Sequence, residues 1–85
     1  SNHLYHLAYQ ILQSQNLPWP LLHPLLQQAT GQLTAADPAQ GQTGPAVRQD
    51  RQTLERHRAL LDDPQLKELY NRLTEHIIRT HEKEL

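Results

Sequence analysis

Apolar residues recur at three- and four-residue spacing through most of this 85-residue chain, and nowhere do they alternate with polar ones. That spacing is the mark of amphipathic helices, not strands. Leu4, Leu7, Ala8, Ile11 and Leu12 predict a helix over about 3–15, stopped by Asn16 and Pro18. Tyr5 and Tyr9 form a flanking row, so this helix has more than one face to bury. Leu21, Leu22, Leu25, Leu26, Ala29 and Leu33 predict a second helix over about 18–35, introduced by Pro18-Trp19-Pro20. Pro24 either kinks it or marks its true start, because the ring clashes with the carbonyl four residues back. Gly31 permits close helix approach or weakens the helix.

A third helix is expected over about 50–61, with Leu54, His57, Leu60 and Leu61 on its inner side. A fourth, over about 64–82, sets Leu66, Leu69, Tyr70, Leu73, Ile77 and Thr80 along one face. Between them Asp63 should cap and Pro64 should take the first helical position. So short a link makes the third and fourth helices antiparallel. Glu68–Arg72 and Glu75–Arg79 are acid-first pairs four apart on the solvated face, worth about 0.2–0.5 kcal/mol each. The expected fold is all-α, a single four-helix domain over residues 1–85.

A chain of this length buries only about 60–65% of its unfolded surface, so its own stability is marginal. Large core residues are scarce, with no Phe or Met, one Trp and three Tyr. The absence of Cys removes disulfides and thiolate metal sites. No run approaches the ~18 apolar residues of a membrane span, and no basic-then-apolar leader is seen. A start at Ser1 suits an excised fragment. A net charge of −1 argues against a nucleic-acid binder, which carries a basic face.

The distribution of charge says more than its total. Residues 1–36 contain no Asp, Glu, Lys or Arg; every Lys and Arg lies at or after Arg48. Polar positions there hold Gln and Asn instead, which are desolvated more cheaply than ions. Charged residues are depleted at interface cores. The first 36 residues therefore read as the half that is covered, by a second copy of the chain or another protein.

Ala35 to Val47 is a turn-rich connector, longer than most links between helices, and such loops are often functional. Within it Thr43-Gly44-Pro45 reads as a turn, outside any helix, because Gly44 is permissive and Pro45 lacks an N–H. Asp50 is placed to cap the third helix. Arg48 stands just outside that entrance, where its planar fork can hold a phosphate or carboxylate.

The run Thr43-Gly44-Pro45-Ala46-Val47-Arg48-Gln49-Asp50, followed by Thr53 and His57, resembles the signature of one bacterial family. Its members join a Rossmann-like domain to a helical C-terminal domain of unassigned function. They are provisionally described as NADP- or deazaflavin-dependent oxidoreductases. Gln49 stands where that pattern has Gly. The resemblance covers nearly the whole chain, and only this run is specific. It implies a cytoplasmic helical domain detached from an upstream Rossmann-like partner, with NADP(H) or NAD(H) bound by the parent and none by the fragment. It also implies a substrate cleft touched by Thr43, Gly44, Pro45, Arg48, Asp50 and His57. In the wider superfamily like 6-phosphogluconate dehydrogenase, the first helix of this domain points early polar residues at the cleft. Asn2 is the corresponding position here.

The six histidines do not make a metal site by spacing. His3 and His6 can share a face, whereas His76 and His81, five apart, diverge. His57 reads first as a hydrogen-bonded core histidine, and as a cleft residue only by the resemblance. No nucleophile triad or phosphate loop is present, so the fragment is expected to catalyse nothing alone. Two functions follow: a substrate-cleft and homodimerisation domain of an oxidoreductase, dimerising through residues 1–36, or a free-standing helical interaction module. Neither membrane nor nucleic acid is an expected partner.

Overall fold

The computed structural model describes residues 1–82. Among them are α1 (Asn2–Ser14), α2 (His23–Ala35), α3 (Pro45–Arg48), α4 (Arg51–Leu60) and α5 (Pro64–His81), with a 3-10 helix at Trp19–Leu22 and no strand. The all-α expectation holds. The chain divides into two compact units, Ser1–Gly41 and Gln42–Leu85.

In the first unit α1 ends as its residues dictate. Asn16 adopts a left-handed φ of 57°, its N–H donating to the Gln13 carbonyl while Leu17 N–H reaches Leu12. This pair of bonds closes the orphan carbonyls of the last turn, and Pro18 follows where no helix can continue. The helix expected from residue 18 is split. Pro24 occupies the first turn of α2, so α-helical bonding cannot extend back through the Pro20 carbonyl, and Trp19–Leu22 tightens into 3-10 geometry instead. Trp19 stacks edge-on against Tyr9 at 5.6 Å and His23 at 6.2 Å, linking α1 to the start of α2. Gly31 admits a Cβ without meeting anything within 4 Å, so no close approach occurs there within this unit. No residue of α1, the 3-10 helix or α2 is buried.

The second unit has a small core of Ala46, Leu54, Thr74 and His81. Asp63 caps α5 by accepting from Gln65 N–H at 2.9 Å, and Pro64 opens it, both as expected. Helices α4 and α5 pair in descending register: His57 meets Tyr70, while Leu54, one turn earlier, shares a cavity with Leu73, Thr74 and Ile77. That is an antiparallel hairpin. Four assignments of inner residues need correction: Leu69 and Leu73 of α5 are exposed, as are Leu60 and Thr80. Leu60 is 77% exposed, and Thr80 is exposed on α5, its hydroxyl donating to the His76 carbonyl. The covered stripe of α5 runs instead through Leu66, Tyr70, Thr74, Ile77 and His81. A count of apolar side chains alone sets its phase wrongly, because Thr74 and His81 are polar. The ion pairs among the described residues are Glu55–Arg58 and Glu68–Arg72.

Candidate functional site

The segment entering α4 is a sequence of backbone constraints. Gly44 has φ 105° and ψ 178°, a region open essentially to glycine. That conformation turns the chain into Pro45, which is not excluded from helix as expected but begins α3. Its fixed φ suits a first helical position, where no N–H is needed. After one turn Gln49 takes the left-handed conformation, φ 53° and ψ 41°. Its N–H donates to Ala46, and Asp50 N–H donates to Pro45 at 2.9 Å. Glycine adopts this conformation without a Cβ clash, and Gln49 takes it here at a cost.

Asp50 then caps α4 as predicted. One carboxylate oxygen accepts from the Thr53 backbone N–H and the other from the Thr53 hydroxyl. The hydroxyl bond, then the backbone bond, hold the Asp50 pKa below the ordinary carboxylate value, with Arg48 and Arg56 adding attraction against a small burial penalty. Arg56 also donates to the Thr53 hydroxyl oxygen at 3.3 Å.

Behind this loop lies a cavity of about 300 Å³ lined by Thr43, Pro45, Ala46, Leu54, His57, Tyr70, Leu73, Thr74 and Ile77. Within its lining His57 Nδ1 and the Tyr70 hydroxyl oxygen are 2.7 Å apart, their rings edge-to-face at 5.8 Å. Burial pushes the Tyr70 phenol above its usual value, opposed by the nearby Arg58 charge and a hydrogen bond from Thr74. Arg58 itself is tied to Asn71 and Glu55.

Of the residues singled out by sequence, the structure brings Thr43, Pro45 and His57 together on this cavity. Gly44 shapes the turn between the first two. Asp50 is engaged with Thr53, outside the lining, and Arg48 is exposed at the end of α3. Among the described residues the Arg48 side chain makes no hydrogen bond or ion pair. Asn2 lies exposed at the first position of α1, in the other unit. Sequence reasoning missed Tyr70 and Thr74 as members of the site. The available signal was the antiparallel hairpin itself, which carries Tyr70 across to His57. Among the described residues no group of three metal-ligating side chains converges, and no helix is long and apolar enough to cross a membrane.

Fold and loop together define an all-α domain in which a TGP turn and a capped helix close one end of a helical hairpin. The chain belongs to the DUF2520 family, a domain of unknown function, whose profile matches residues 1–77. No curated protein matches it. Among solved structures it is similar to a crystal structure from Bacteroides fragilis, provisionally described as an NADP oxidoreductase. The two are 37% identical, with a TM-score of 0.86, and the match covers 92% of this chain but 30% of that one. The chain therefore spans less than a third of that protein's length. The resemblance drawn from the TGP-to-His57 run is borne out: this is a helical domain of unknown function of the kind found in such oxidoreductases.

Proposed function

We propose that this chain is the helical C-terminal domain of an NAD(P)-dependent oxidoreductase, a Rossmann-like domain preceding it in the parent protein. The likeness to the Bacteroides fragilis protein, 37% identity over 92% of the chain, carries this reading. Among the described residues there is no strand, hence no glycine-rich strand-to-helix turn to cradle a pyrophosphate. The dinucleotide falls to the other domain, and the fragment alone turns nothing over. The contribution of this chain is the substrate side of the cleft. The Thr43–Asp50 loop closes over the nicotinamide, Arg48 holds an anionic group of the substrate, and Asn2 and His57 contribute polar contacts. The parent is cytoplasmic.

The second role is dimerisation through residues 1–36. It is supported by a first unit in which no residue is buried, large apolar side chains such as Leu4, Leu21, Leu25 and Leu33 are exposed, and no ion interrupts them.

The test uses the complete polypeptide. NADPH or NADH should bind it with a change in nicotinamide fluorescence. Arg48→Ala should then raise KM for an acidic substrate about tenfold or more while leaving cofactor affinity unchanged. Failure of both nicotinamides to bind, with an unrelated domain encoded upstream of Ser1, would establish the free-standing interaction module instead.

A further inference from the structure

The cavity behind the TGP turn is chemically lopsided. Pro45, Ala46, Leu54, Leu73 and Ile77 supply aliphatic walls, and among the described residues no Asp, Glu, Lys or Arg lines it. An ionised guest would lose hydration against those walls, and the nearby cation, Arg58, is already paired with Glu55. A purely hydrocarbon guest would leave the His57–Tyr70 pair in the lining unused. We propose that this cavity receives the uncharged, oxygen-bearing carbon skeleton of the substrate, an alcohol or ketone, with the His57–Tyr70 pair as the group that recognises the oxygen. The inference rests on the cleft role of the loop and adds the substrate class.

Proton arithmetic at the pair explains why it suits both oxygen types. The 2.7 Å contact between His57 Nδ1 and the Tyr70 oxygen holds one proton, on one side or the other. If His57 carries its proton on Nδ1 and donates it to the phenol oxygen, the Tyr70 O–H is not engaged by His57. The Tyr70 O–H is then free to donate to a guest carbonyl. If Tyr70 instead donates to Nδ1, its oxygen is left to accept from a guest hydroxyl. Moving the imidazole proton from Nδ1 to Nε2, with rotation of the phenol O–H onto Nδ1, converts a donor site into an acceptor site. A ketone and its alcohol differ in that same respect. Arg48, outside the lining, remains available for a separate anionic part of the molecule.

Cyclohexanone, cyclohexanol and cyclohexanecarboxylate are suitable probes for the complete polypeptide with nitrogen-15-labelled histidine. The ketone and the alcohol should both shift the His57 imidazole resonances, with dissociation constants on the order of millimolar, as befits ligands so small. The carboxylate should bind at least tenfold more weakly. Tyr70→Phe should weaken the two neutral probes about tenfold, the equivalent of one hydrogen bond. Leu73→Trp, at the half-exposed lip, should abolish binding while leaving the His57 spectrum of the free protein intact. Equal binding of the carboxylate, neutral-probe affinity unchanged in a folded Tyr70→Phe variant, or no His57 shift with either neutral probe at its solubility limit would each overturn the assignment. If NADPH binds and Tyr70→Phe is without effect, the subsite alone is wrong. If the neutral probes bind and neither nicotinamide does, the oxidoreductase reading is wrong and the pocket stands.

Discussion

The Asp50 carboxylate takes two hydrogen bonds from one residue, the Thr53 backbone N–H at 3.2 Å and the Thr53 hydroxyl at 2.7 Å. The pair fixes where α4 begins and thereby the angle at which the TGP loop leaves it. Replacing Asp50 with Ala removes both acceptors and should lower the melting temperature by roughly 5 °C at neutral pH. Because the folded-state pKa is depressed, the contribution of the charge is present above the unfolded carboxylate pKa of about 3.9 and is lost as pH falls through the lower folded value. Circular-dichroism melts taken at successive pH values check this. The gap between wild type and Asp50→Ala should hold from neutrality down to that range and close below it.

Gln49 sits at φ 53° with a side chain that the left-handed region penalises. Gln49→Gly relieves that penalty, about 1–2 kcal/mol, against an unfolded-state entropy cost of about 0.4–1 kcal/mol. The expected net is a stabilisation of about 0.5–1 kcal/mol, read as a higher urea midpoint at unchanged slope. Gly44→Ala should do the reverse by about 1–3 kcal/mol, and for backbone reasons alone, since a Cβ there meets nothing within 4 Å.

Leu54 and Leu60 stand on the same helix, and the apolar pattern gave them equal weight. Leu54 is 3% exposed against Leu60 at 77%. Leu54→Ala should cost about 2–5 kcal/mol, enough to unfold a domain this small, while Leu60→Ala should stay within about 0.5 kcal/mol. Equal losses in denaturant melts would mean that the small core is not where Leu54 places it.

What could be read from the residues was mostly local. Asn16 before Pro18, Asp50 before α4 and Asp63-Pro64 before α5 each carry their own chemistry, so helix ends were accessible without any tertiary knowledge. Pro24 offered a kink or a start, and its first-turn position chose the start. The site divides the same way. Thr43, Pro45 and His57 were legible because they belong to one contiguous run. Tyr70 and Thr74 were not, because their place depends on the register between two helices, and an apolar stripe gives its own phase only when every buried position is apolar. Thr74 at 4% exposure breaks that condition, and Leu60 shows the converse error.

The uncharged half makes its own prediction. Leu25, 61% exposed on α2, lies in a stretch with no ion to compete for it. If residues 1–36 meet a second copy, Leu25→Glu places a carboxylate in that contact, and its desolvation should weaken self-association at least tenfold. Leu60→Glu is the control: the position is more exposed still, but it belongs to the ionic half, and the change should leave the association constant where it was. Sedimentation of wild type and both variants over a concentration series separates the cases. A wild-type chain that stays monomeric, or a dimer equally indifferent to both substitutions, would remove residues 1–36 as the contact. A dimer lost only in Leu25→Glu would tie the missing charges of the first helices to the surface they cover.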